Sequence, residues 1–150
     1  MTFEESIREA AHRAEEAVKG TIDQYSRGSV TEEEDLTGAL AGQLEARLRG
    51  QIGGLTWNTT ILRRRRGIAA EEQRIGADMI IHVKMDTSTD HYSKGVLIQA
   101  KRVEPNILMS SKDHGDLKSQ CQKMLDVTSA SFVFDYTRRA PLRVCWPDCR

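Results

Sequence analysis

A chain of 150 residues with 39% hydrophobic and 29% charged side chains is long enough for one domain with a real core and short for two, and its composition excludes disordered and fibrous classes. Its 22 basic and 22 acidic side chains cancel, but unevenly: residues 1–50 carry 6 basic and 11 acidic groups, residues 51–150 carry 16 and 11. No apolar run approaches the roughly 20 residues of a membrane span, and Met1-Thr2-Phe3-Glu4-Glu5 lacks the basic and apolar regions of a signal peptide, so the expected location is cytoplasmic, without a membrane partner.

Phe3, Ile7, Ala10, Ala11, Ala14 and Val18 recur at steps of three and four, which predicts an amphipathic helix from Phe3 to Lys19, ended by Gly20. Thr31-Glu32-Glu33-Glu34 reads as a capping box, Thr31 capping and Glu34 standing three residues later, for a second helix that runs to about Arg49. Leu36, Ala39, Leu40, Leu44 and Leu48 make its apolar stripe. Gly53-Gly54 breaks the helical pattern, and Thr56 to Leu62 has the β-branched and aromatic character of a strand. Arg63, Arg64, Arg65 and Arg66 follow, the densest positive charge in the chain, suited to an exposed strand end or to phosphate contacts.

Gly76 to Val83 and Lys94 to Lys101 are apolar runs of strand length separated by the polar stretch Asp86 to Ser93, the pattern of a hairpin or meander. Arg102 to Gly115 reads as a loop. Asp116 to Val127 reads as a helix with Leu117, Cys121, Met124 and Leu125 at helical spacing. Ser131 to Tyr136 is a buried-type strand, Arg138 to Pro141 a turn, and Leu142 to Trp146 a last strand. An odd number of cysteines, Cys121, Cys145 and Cys149, with no second pair at ligand spacing, points to free thiols rather than a disulfide framework or zinc.

The chemistry concentrates at the central strands. Alternation along a strand sends Gln99 and Lys101 to one side, with Ala100 turned away, so that they and Asp78 can converge at one end of a sheet. Phosphodiester hydrolysis commonly relies on a hard divalent cation held by carboxylates and other oxygens, with an ammonium nearby to orient water and stabilise charge. Gly76-Ala77-Asp78 followed by Gln99-Ala100-Lys101 resembles the PD-(D/E)XK nuclease superfamily, in its Mrr-like Gln-x-Lys branch.

That resemblance implies an α/β, restriction-endonuclease-like fold, a mixed central β-sheet flanked by helices, in a single domain with residues 1–29 as a helical extension and 30–150 as the catalytic core. It implies a Mg2+- or Mn2+-dependent endonuclease that cleaves double-stranded DNA to 5′-phosphate and 3′-hydroxyl ends, acting as a homodimer or as the effector of a larger defence complex. Asp78 and Gln99 would hold the metal, Lys101 would assist the water, and Glu34 would complete the site, with Glu33 and Glu45 as substitutes. Gln120 would orient substrate or water, although Met124 stands where several branches have a tyrosine. Arg63 to Arg66, Arg102 and Lys112 would contact phosphates.

Ala77 replaces the proline of the motif, and Gln99 offers a neutral oxygen where a glutamate would offer charge, so the helix carboxylate gains weight. Each residue also has a plainer role: Asp78 as a strand cap, Lys101 as an edge lysine, Glu34 as a capping acid, Glu72 as a salt-bridge partner of the arginine run. His82, His91 and His114 are dispersed and pair with no nucleophile in the sequence. The alternative reading is a nuclease-fold module without catalysis that binds DNA or serves assembly; a small α/β domain with no nucleic-acid role is a third.

Overall fold

The computed structural model describes residues 1–50, 52–62, 74–89, 91–102, 107–136 and, as backbone alone, 143–145. Arg63 to Arg66, Glu72, Pro105-Asn106, the turn Arg138 to Pro141 and Cys149 lie outside them. The elements run α1 (Phe3–Ser26), α2 (Glu33–Leu48), β1 (Leu55–Ile61), β2 (Met79–Asp86), β3 (His91–Arg102), α3 (Ser111–Val127), β4 (Ser131–Tyr136) and β5 (Arg143–Cys145). The strands form one mixed sheet in the order β1-β2-β3-β4-β5, in which only β3 and β4 are parallel. A parallel pair needs a crossover, and α3 is that connection.

Alternation along the strands divides the core into two layers. Met79, Ile98, Ala100 and Tyr136 pack with Ala10, Leu36, Leu40 and other residues of α1 and α2. Leu97 and Val133 point the other way, against Cys121 and Met124 of α3. The result is a sheet between helices, mixed α/β as expected. Residues 1–29, read as an extension, are by packing part of the core: Ala10, Ala17 and Tyr25 of α1 are at most 1% exposed.

Several boundaries differ from the sequence reading. α1 continues through Gly20 to Ser26, because Thr21 and Tyr25 extend its buried stripe and Gly20 lies against the Gln43 side chain of α2. Its start is a capping box, with Thr2 Oγ1 accepting from the Glu5 N–H at 3.2 Å and Glu5 Oε2 accepting from the Thr2 N–H at 2.6 Å. α2 has no such box: its N-cap is Glu32, without a side-chain cap, so Thr31 and Glu34 do not play the capping roles assigned to them. Instead three acids, Glu33, Glu34 and Asp35, occupy the first turn, where the helix dipole favours negative charge. α3 begins five residues before the expected Asp116, since Ser110 Oγ accepts from the Asp113 N–H at 3.1 Å and caps a first turn that the polar composition made look like loop.

The central strands are paired as an antiparallel hairpin, with Met79 opposite Ile98 and Asp86 opposite His91. Strand structure begins at Met79 rather than Gly76, which has φ +76°. A Cβ at Gly76 would stand 2.5 Å from the Gln120 carbonyl oxygen, so only glycine allows α3 this close to the residues leading into β2.

Candidate metal site at the end of the sheet

Asp78 immediately precedes β2, and its backbone already belongs to the sheet: its N–H donates to Ile98 O at 2.8 Å and its carbonyl accepts from Leu62 N–H at 2.8 Å. β2 has no further residue to pair with the end of β3, and the Asp78 side chain takes that place. Oδ2 accepts the Ala100 N–H at 2.8 Å and the Gln99 Nε2 at 2.7 Å. Gln99 is 2% exposed, and Nε2 also donates to Ala100 O at 3.1 Å. Its amide oxygen is buried with no hydrogen-bond partner.

Of the acids at the start of α2, Glu33 rather than Glu34 reaches the end of β3. Glu33 Oε2 accepts the Arg102 N–H at 2.7 Å, and Oε1 lies 3.9 Å from Lys101 Nζ. Lys101 and Glu33 side chains are 18% and 35% exposed, so the pair sits at a partly dried rim rather than in open solvent. Glu34 is exposed. Helical geometry gives the reason: the buried residues Leu36, Thr37, Leu40, Ala41, Leu44 and Leu48 define the face of α2 turned to the sheet, and stepping back three from Leu36 or four from Thr37 reaches 33, not 34. That signal was present in the sequence. Glu45 lies three turns along α2, lining a groove of about 550 Å³ between Gly38, Ala41 and Gly42 on α2 and Asn58 to Ile61 on β1.

Tyr136, at the end of β4 and in register with Arg102, is the residue that motif spacing could not find. It is 1% exposed, and its hydroxyl is buried without a hydrogen-bond partner. Burial pushes the phenol up to about 12; Asp78 and Glu33 add to the shift, while Thr37 opposes it. The Thr37 hydroxyl donates to the Glu33 carbonyl at 3.0 Å, and it stands outside bonding geometry with Tyr136. The same register places Asp135 beside Lys101.

The other candidates divide. Gln120 sits where α3 packs on Gly76, half-buried, its side-chain oxygen buried and without a partner. Arg102 is engaged by the start of α2, donating to Thr31 O at 2.8 Å and lying 3.7 Å from Glu32 Oε2, so it fastens helix to sheet. Lys112 is exposed in the first turn of α3. His82 and His91 are drawn into surface pairs along the hairpin, with Ser93 Oγ at 2.7 Å and Asp86 Oδ1 at 2.9 Å.

Comparison with known protein families and with curated protein sequences gives no match. The reading therefore rests on the geometry. Among the described residues no three His, Cys, Asp or Glu side chains converge as a metal cluster. Asp78, Glu33 and the Gln99 amide carry hard oxygen donors of the kind Mg2+ and Mn2+ accept. Six buried side-chain N or O atoms lack partners among the described residues, and three of them, on Gln99, Gln120 and Tyr136, belong to residues at Asp78 or its approach. Buried polar atoms are normally satisfied; Tyr136 faces α1 and α2, whereas Gln120 is on α3 across the sheet.

Proposed function

We propose that the chain is a restriction-endonuclease-like domain of the PD-(D/E)XK type, a metal-dependent endonuclease acting on double-stranded DNA. The observation that carries this reading is the Asp78–Gln99 pair. Turning the Gln99 amide by 180° exchanges its nitrogen and oxygen, bringing the unpartnered Oε1 to the position now 2.7 Å from Asp78 Oδ2. Two acceptors at that separation repel unless a proton or a metal cation lies between them, and the exchange also gives up the Nε2 bond to Ala100 O at 3.1 Å. The pair thus has one arrangement that is closed on itself and another that presents two oxygens to a divalent ion.

A bound Mg2+ would neutralise charge on the scissile phosphate and lower the pKa of water. Asp78 and the Gln99 oxygen would hold it, with Glu33 as the further carboxylate. Lys101 contributes positive charge that becomes useful when Glu33 turns from it toward the ion: the ammonium then orients water and stabilises the developing negative charge. The phosphate backbone would be approached by Lys112 and the sequence-adjacent Arg63 to Arg66, contacts that supply affinity without sequence choice.

The test is conversion of supercoiled plasmid to nicked or linear form with Mg2+ or Mn2+. Cleavage that disappears with EDTA and in Lys101→Ala supports the proposal; no cleavage, or cleavage that survives both, contradicts it. A second reading has its own observation: Asp78 Oδ2 already accepts two N–H groups, which is what a purely structural clamp at the end of a sheet would do. A non-catalytic DNA-binding module follows from it, and it predicts binding that weakens steeply with salt and no cleavage with any metal.

A further inference from the structure

The Tyr136 hydroxyl is expensive to leave as it is. A buried hydroxyl without a partner destabilises the fold, and phenylalanine would fill the same space without that penalty. Its surroundings show what it is aimed at. Tyr136 is in register with Arg102, the residue whose N–H holds Glu33 Oε2 at 2.7 Å. It also belongs to one buried cluster with Leu36, three residues after Glu33 on α2. Backbone register and burial with α2 thus place Tyr136 at the Glu33 end of that helix.

We infer that Tyr136 is a positioning residue for Glu33: its hydroxyl has no partner while Glu33 faces Arg102 and Lys101, and donates to the Glu33 carboxylate when that carboxylate turns to a divalent cation held with Asp78 and Gln99. The inference rests on the metal-site reading above and adds to Asp78, Gln99, Glu33 and Lys101 a residue that touches neither substrate nor ion. An outer hydrogen bond of this kind fixes the ligand's orientation, and its removal commonly weakens metal binding about 10–100-fold. The sign of the effect on the metal-free protein is opposite, because deleting an unsatisfied hydroxyl relieves the fold.

The experiment compares thermal unfolding of wild type and Tyr136→Phe in EDTA and in Mn2+, with the Mn2+ dissociation constant measured for each. In EDTA the variant is expected to melt no lower than wild type, and up to about 4 °C higher. In Mn2+ its gain in Tm shrinks and its dissociation constant rises at least about tenfold. A purely structural tyrosine would instead lower Tm equally in both buffers, which overturns the inference. In a Glu33→Gln background Tyr136→Phe should change Mn2+ affinity no further; a full additional loss there also overturns it. If wild type shows no Mn2+-dependent gain at all, the metal reading itself fails, whereas a normal wild-type gain matched by the variant sinks the role of Tyr136 alone.

Discussion

Gln99 is the residue at which the account is most exposed to test, because its amide does what a carboxylate could not. It donates to Asp78 Oδ2 at 2.7 Å, so Gln99→Glu places two carboxylates at that separation. Without metal the variant should lose about 1–3 kcal/mol of stability, measured by urea unfolding in EDTA. With Mg2+ or Mn2+ the added charge should raise affinity roughly tenfold, since ligand charge tunes such sites. Opposite signs in the two buffers distinguish a metal site from a clamp. Tyr136 gives a pH prediction at the same scale. Its phenol is raised from 10 to about 12 in the folded chain, so the unfolded chain releases this proton first. The contribution is fully present below pH 10 and is lost as pH rises through 12. Tyr136→Phe should therefore unfold less readily than wild type in an alkaline titration followed by circular dichroism.

At the scale of elements, the hairpin and the helix after Lys101 follow from patterns that the sequence carries openly, whereas the mixed sheet is an expectation from the resemblance. Two apolar runs separated by Asp86 to Ser93 leave few alternatives, and the register, with Met79 opposite Ile98, brings Asp78 to Gln99. What misled was local chemistry that tertiary contacts override. Thr31 and Glu34 have capping-box spacing, yet the helix starts at Glu33, whose carboxylate is held by the Arg102 N–H while the Arg102 guanidinium holds the Thr31 carbonyl. Gly20 has the look of a helix end, but its missing side chain serves the packing of α1 on α2. Tyr136 was invisible as a site residue because nothing in Ser131 to Tyr136 says which strand end the hydroxyl reaches. Gly76 is the element-scale position with the sharpest consequence. Gly76→Ala meets both a left-handed φ and the Gln120 backbone, so it should cost about 2–5 kcal/mol in chemical denaturation, from strain and overpacking together. Cleavage should fall with it, since Asp78 lies two residues on.

For the whole molecule, α1 and α2 cover one face of the sheet and α3 covers part of the other, leaving the Asp78 end as the place where helix starts and strand ends meet. Removing residues 1–29 takes Ala10, Ala17 and Tyr25 out of the core and bares Leu36 and Leu40. The truncated chain should lose its cooperative thermal transition and bind a hydrophobic dye. Among the described residues no helix is long and apolar enough to cross a membrane, and the central claim for this mixed α/β fold is a metal site at the Asp78 end of the sheet. The most direct measurement of that claim is Mn2+ binding followed by electron paramagnetic resonance, on wild type and on Asp78→Asn. The account predicts saturable binding in wild type, displaced by Mg2+, and its loss in Asp78→Asn with the fold retained; equal binding by the two proteins, or none by either, would contradict it.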